Sequence, residues 1–228
     1  MGLVIAVGLI GLWLAHGAYA LLDSGLTPDR PIAYLHLALQ TYLSTGLFIT
    51  AHDAMHGTVS RAPRVNTAVG RVACFLFAGF SYRRLVACHR AHHHQPGTVE
   101  DPDFSPYGFW RWWFGFMARY TTLSQLAVMA VGFNVLKWIT PEPKIWMFWV
   151  APSLLASLQL FFFGTYLPHR TPFTPDMAPH RARTQAPGHL WAMASCYFFG
   201  YHWEHHQSPG TPWWKLWRLK HKKTAPVG

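Results

Sequence analysis

Residues 3–22, LVIAVGLIGLWLAHGAYALL, run for twenty positions without one charged side chain. That is long enough to cross bilayer hydrocarbon as a helix. Inside hydrocarbon every backbone N–H and C=O must be paired within the protein, which leaves only helices and closed barrels. Three more runs follow, at 31–51, 117–136 and 145–167. The second opens with Pro31 at a favourable first helical position. The last contains Pro152, which kinks a lipid-embedded helix rather than forbidding it. Residues 65–80 are apolar but short, and they contain Arg71. A re-entrant or interfacial helix is expected there. The Trp-rich stretch FWRWWFGFMARY at 109–120 is expected at the membrane surface, and Pro141 and Pro143 mark a turn. The expectation is an all-α integral membrane protein, one domain over 1–228, with four transmembrane helices. The first run lacks a basic segment before it, so it reads as a retained helix rather than a cleaved signal peptide.

Composition agrees. Charged residues make up 12% of the chain, against about 25% in a soluble domain. The net charge of +10 raises nucleic acid as a partner, but the basic residues form no nucleic-acid motif. They gather instead between the apolar runs. Turns 23–30 and 137–144 hold three: Arg30, Lys137 and Lys144. Segments 52–90 and 168–228 hold 14, among them Arg61, Arg83, Arg90, Arg181, Lys215, Lys222 and Lys223. The positive-inside rule puts the second set and both termini in the cytoplasm, facing anionic lipid. Cys74, Cys88 and Cys196 form no CxxC pair, which fits a reducing compartment.

On that same side lie three histidine clusters: His52-Asp-Ala-Met-His56, His89-Arg-Ala-His92-His93 and His202-Trp-Glu-His205-His206. Residues at i, i+3 and i+4 share one helical face, so each cluster aims two or three imidazoles at one point. Eight nitrogen ligands exceed the four of a tetrahedral zinc and suit two metals with open positions. One HxxxH is expected by chance about once in a chain this rich in histidine, whereas two HxxHH are expected on the order of 0.002 times. Imidazole suits zinc, copper, iron and nickel alike, so the ligands leave the metal open. An all-nitrogen site with vacancies beside hydrocarbon is best used to activate dioxygen, which favours iron.

The remaining histidines read differently. His169, after the last apolar run, is a candidate ninth ligand. His94 points off the face shared by His89, His92 and His93, and reads as solvated or as a partner of a ligand. His16 and His36 lie within spans and read as neutral side chains hydrogen-bonded between helices. His180, His189 and His221 read as surface residues. Metal-bound imidazoles usually donate their other N–H to a carboxylate or carbonyl. Asp53 and Glu204, inside the boxes, are the candidates for that role, while Glu100, Asp101 and Asp103 serve equally well as caps of a turn. Trp213, Trp214 and Lys215 read as an interfacial anchor.

The three boxes on a four-span chain resemble the membrane fatty acid desaturase and hydroxylase superfamily. Within it, GLFITAHDAMHG (46–57), HRAHHHQPGTVEDPDF (89–104), FFFGTYLPHR (161–170) and GYHWEHHQSPGTPWWKLW (200–217) are similar to bacterial-type beta-carotene ketolases. His94 and Gln95 depart from the usual wording after the second box. The resemblance implies a cytoplasmic, histidine-rich di-iron cap in a bacterial inner membrane. Two non-haem irons would be held by His52, His56, His89, His92, His93, His202, His205 and His206, and His169 matches a further family histidine. It also implies a carotenoid substrate (beta-carotene or zeaxanthin), dioxygen, and an external electron donor such as ferredoxin, since the chain carries no flavin or nicotinamide motif. The reaction implied is oxidation of the C4 methylene of a beta-ionone ring to a ketone. A carotene hydroxylase or a fatty acyl desaturase or hydroxylase would use the same boxes. A non-catalytic membrane protein that binds haem or metal through histidines is the reading from another class.

Overall fold

The first helix, α1 (Gly2–Leu22), is clothed in apolar side chains that the protein does not cover: Val4 is 71% exposed and Leu12 59%. In water that surface would be driven inside; as a lipid-facing surface it needs no cover. The computed structural model describes residues 1–220, so His221, Lys222 and Lys223 of the sequence reading lie outside it. The described residues contain helices, turns and loops and no strand.

Next come α2 (Pro31–Met55), α3 (Pro63–Ala78) and α4 (Tyr82–His94). The helix α2 is the central post. It packs on α1, on α3 and on the last long helix, and from Leu43 to Ala54 almost every residue is buried. Small residues let α1 approach it: Gly17 leaves a Cβ-sized gap only 3.0 Å from the Gln40 amide nitrogen. Polar pins then join the pair. The Trp13 indole donates to Ser44 Oγ (2.9 Å), and His16 bridges Gln40 (2.6 Å) and His36 (3.0 Å). This is the hydrogen-bonded state expected of the two span histidines.

At 16 residues, about 24 Å of helix, α3 is shorter than the hydrocarbon. It ends at Gly79, whose left-handed backbone (φ 70°) closes the helix. Tyr82, which opens α4, lays its ring across Gly70, where an added Cβ would sit 2.2 Å from the ring.

The run expected to cross at 117–136 is broken. It belongs to α5 (Phe109–Tyr120) and α6 (Leu123–Leu136). Thr122 accepts from the Gln125 N–H, and Gln125 reaches back to the Thr122 N–H, a reciprocal cap that starts a new helix. With 14 residues, α6 spans about 21 Å. Among the described residues, three helices are therefore long and apolar enough to cross alone: Gly2–Leu22, Pro31–Met55 and Glu142–His169.

The third of these, α7 (Glu142–His169), is continuous but contains two π-helical turns, Trp146–Val150 and Phe162–Tyr166. A proline follows each at the same offset, Pro152 and Pro168. A proline ring in a regular helix collides with the carbonyl four residues back. Widening the turn that carries that carbonyl accommodates the ring. Two short helices, α8 (His189–Cys196) and α9 (His202–Gln207), complete the cap.

Candidate metal centre

Four elements converge below the ends of the long helices. The end of α2 brings His52 and His56, α4 brings His89, His92 and His93, the last turn of α7 brings His169, and α9 brings His202, His205 and His206. All nine histidines meet. Ligand atoms of His52, His56, His89 and His205 lie within 4.8 Å of one another, and so do those of His92, His169, His202 and His206. His93 stands between the two groups, its Nε2 2.9 Å from His205 Nε2 and its ring 4.3 Å from that of His206.

Protons decide what the nitrogens can do. The Nδ1 of His92 faces both oxygens of Asp101 (3.0 and 2.9 Å), so it carries the hydrogen and leaves Nε2 as a lone pair. The Nδ1 of His169 faces the Arg181 carbonyl at 3.0 Å, and a carbonyl only accepts. Its Nε2 is then a bare lone pair, buried without a partner. His202 Nδ1 and His52 Nε2 are also buried and unpartnered. Buried polar atoms are nearly always satisfied, and convergent lone pairs without protons are satisfied by a cation. A nitrogen donor set of this kind fits iron, as it fits other first-row metals.

Electrostatics favours the neutral, ligating form. Burial first, then the neighbouring imidazoles, hold His89, His202, His205 and His206 well below the ordinary histidine range. His92 is the exception. Burial lowers it, but the hydrogen bond and charge of Asp101 outweigh that and raise it.

The carboxylates are arranged otherwise than the sequence suggested. Asp53 accepts from the Trp213 backbone N–H (3.4 and 3.3 Å), and its oxygen is 4.0 Å from His52 Nδ1, beyond a hydrogen bond. Glu204 accepts from Thr184 Oγ1 (2.6 Å) and Lys220 Nζ (3.3 Å). Both carboxylates brace the chain around the centre. Asp101 is the one that orients a histidine, and it also accepts from the N–H groups of Gly97 and Asp103, both at 2.8 Å. The turn-capping and site roles weighed for it are thus the same role. Glu100 is exposed, as is His94.

Three further readings are corrected. His180 is half-buried, bonded to Gln207 (2.9 Å) and stacked at 5.8 Å on the ring of His206. His189 is half-buried against the Tyr201 hydroxyl (2.9 Å). Trp213 lies in the core against Tyr197, and only Lys215 of that segment is exposed.

A cavity adjoins the centre. It encloses about 760 Å³ free of protein atoms, partly continuous with the exterior, and is walled by Phe48, Leu85, Phe116, Leu160, Phe161 and Phe199. His52 and His89 of one group and His92 and His202 of the other share this wall. The ring of Phe199 fits because residue 164 is glycine; an added Cβ there would fall 2.0 Å from the ring.

Comparison with known proteins gives two findings. The family model "Fatty acid desaturase" matches residues 30–146 and 124–226. Among curated proteins, the chain is 42% identical over 220 residues (94% of this chain, 90% of the relative) to a beta-carotene ketolase of Paracoccus sp. (strain N81106 / MBIC 01143). It is 35% identical over 248 residues (94% and 77%) to a beta-carotene ketolase of Haematococcus lacustris. It is 37% identical over 233 residues (94% and 52%) to a zeaxanthin 4-ketolase of Chlamydomonas reinhardtii.

Proposed function

The chain belongs to the fatty acid desaturase family, and we propose that it is a carotenoid 4-ketolase, an O2-dependent di-iron membrane oxygenase. Its substrate is a carotenoid with a beta-ionone ring, and its product carries a ketone at C4. The observation that carries this reading is the junction of a nine-histidine centre with an apolar cavity. The 42% identity to a beta-carotene ketolase over 94% of the chain supports the choice of substrate.

In this reading His52, His56, His89 and His205 hold one iron, and His92, His169, His202 and His206 hold the other, with His93 available between them. When bound, the irons would supply the redox chemistry that lets dioxygen attack a C–H bond. The chain does the rest. Asp101 keeps His92 in the tautomer whose Nε2 is free to ligate. The aromatic and aliphatic wall excludes water and holds the ring so that its C4 methylene, not its neighbours, faces the histidines. That methylene is allylic, so its C–H bond is weak. Two successive hydroxylations give a gem-diol, which loses water to leave the ketone. Each hydroxylation consumes one dioxygen, two electrons and two protons and releases one water. The electrons come from an external carrier such as a ferredoxin.

We place the centre and both termini on the cytoplasmic side of a bacterial inner membrane. The fourth crossing is made by the short α6 together with its flanking turns. The excess of basic residues in 52–90 and 168–228 supports this orientation.

The test is pigment analysis of a beta-carotene-producing bacterial host that expresses the chain. Echinenone and canthaxanthin should accumulate, and His89→Ala or His205→Ala should abolish both. Hydroxylated carotenoids in their place would move the enzyme to the hydroxylase branch. Unchanged beta-carotene from well-expressed protein would overturn the carotenoid reading.

A further inference from the structure

Outside the metal centre, a groove of about 870 Å³ opens where α7 ends. Phe162, Phe163 and Leu167 line it from the last turns of α7, and Trp191 lines it from α8. Trp191 is 63% exposed and its neighbour Leu190 90%, so the protein leaves this part of α8 uncovered. Two cations complete the lining: Arg170, the residue that follows α7, and Arg183.

Neither guanidinium forms an ion pair with a carboxylate among the described residues. Arg183 donates to the carbonyls of Arg170 and Pro172, and the Arg170 guanidinium lies 5.8 Å from the centre of the Tyr166 ring. Burial, and after it the charge of Arg170, hold Arg183 below the ordinary arginine range, and Asp176 pulls less strongly the other way. Two like charges that feel each other are both favoured by an opposite charge between them. Guanidinium is the side-chain group that best matches phosphate oxygens. The pair is also tied to the last turn of α7, because the Arg183 N–H donates to the Pro168 carbonyl (2.9 Å) and the Arg181 carbonyl faces His169.

We propose that Arg170 and Arg183 bind the phosphate of an anionic phospholipid whose acyl chain lies on Phe162, Phe163 and Trp191. Charge selects the head, and the apolar lining selects the tail. From Phe163 to Arg170 the helix rises about 10 Å, and a lipid passes likewise from its first methylenes to its phosphate. A free phosphate would satisfy the arginines and leave the apolar lining bare. An acidic protein would meet the charge without covering a lipid-facing wall. The inference requires α7 to cross the bilayer and is independent of which substrate the metal centre oxidises.

The experiment titrates the full-length protein in detergent with dioleoylphosphatidylglycerol or dioleoylphosphatidylcholine and counts bound lipid by native mass spectrometry. Wild type should bind the anionic lipid about tenfold more tightly than the neutral one. Arg170→Gln should remove about fivefold of that preference, the size of one basic residue at a lipid surface. Arg170 is exposed and follows the helix, so this variant keeps the fold. Arg61→Gln removes an exposed arginine outside the groove and should leave the preference unchanged. Equal binding of the two lipids by wild type, or a loss in Arg170→Gln no larger than in Arg61→Gln, overturns the inference. Displacement of the lipid by inorganic phosphate at equal concentration also overturns it and assigns the arginines to a free anion. A raised KM for reduced ferredoxin in Arg170→Gln, with lipid binding unchanged, overturns it in favour of a carrier protein.

Discussion

Two parts of this protein bury histidines, and they differ in where the second nitrogen of each ring points. Between α1 and α2 the hydrogen bonds close on themselves. Gln40 Oε1 only accepts, so His16 Nδ1 carries the proton and His16 Nε2 accepts from His36. One set of tautomers satisfies every contact. In the centre no such set exists. His92 and His169 have committed their protons to Asp101 and to the Arg181 carbonyl. Their lone pairs then face other imidazoles, and His206 Nε2 lies 3.1 Å from both His92 Nε2 and His202 Nε2. The first arrangement is an adhesive between helices. The second has the form that a metal's ligand set would take.

The largest effect that separates them is loss of a ligand. His89→Ala or His205→Ala should remove ketone formation and most bound iron, while His16→Leu should retain full iron content, measured by atomic absorption on purified protein. An iron loss in His16→Leu would erase the distinction. Next comes the tautomer of His92. Asp101→Asn should cost about 10–100-fold in iron affinity or turnover, read by chelator competition; a change under twofold would mean the carboxylate only caps its turn.

Acid should act on the centre. His89, His202, His205 and His206 titrate well below the ordinary range because of burial. The unfolded chain takes up protons near pH 6.5 that the folded chain refuses, so stability falls as the pH drops below about 6.5. His92 and Asp103, both shifted upward, oppose this. Protons also compete with iron for the same nitrogens. Iron release and a falling melting temperature between about pH 6.5 and 5 are expected, and iron retained at pH 5 would contradict them. The smallest effect is on the adhesive. His16→Leu should shift stability by about 0.6 kcal/mol, the average for a hydrogen bond between membrane helices, measured by thermal unfolding in detergent.

The nine ligand candidates were legible because helical spacing and rarity both speak for them, and His169 because it follows a span on the same side. Asp101 was legible only as an even choice between turn cap and site residue, since its contact with His92 is made across a turn closed by Gly97, and nothing in spacing reports such a turn. The break at Thr121–Thr122 had a local signal in the capping pattern from Thr122 to Gln125, but the hydropathy of the whole stretch masked it. Trp213 was misplaced because tryptophan favours membrane surfaces in general, while here the Asp53 carboxylate draws its backbone inside. The π turns have no hydropathy signature; their signal was the pair of prolines, of which Pro152 was read as a kink and Pro168 was not read at all.

Those two wide turns make the last long helix a counted object. Each turn holds one residue more than an α turn, and one residue is about 100° of rotation. His169 faces its partners only if that count is kept. Removing a single residue from the regular stretch Ala151–Phe161 would swing the imidazole about a quarter-turn away, whereas exchanging one lipid-facing side chain for another would leave it in place. The helix is free to drift in spelling but not in length, and any insertion or deletion that survives within it should be matched by a compensating change before His169.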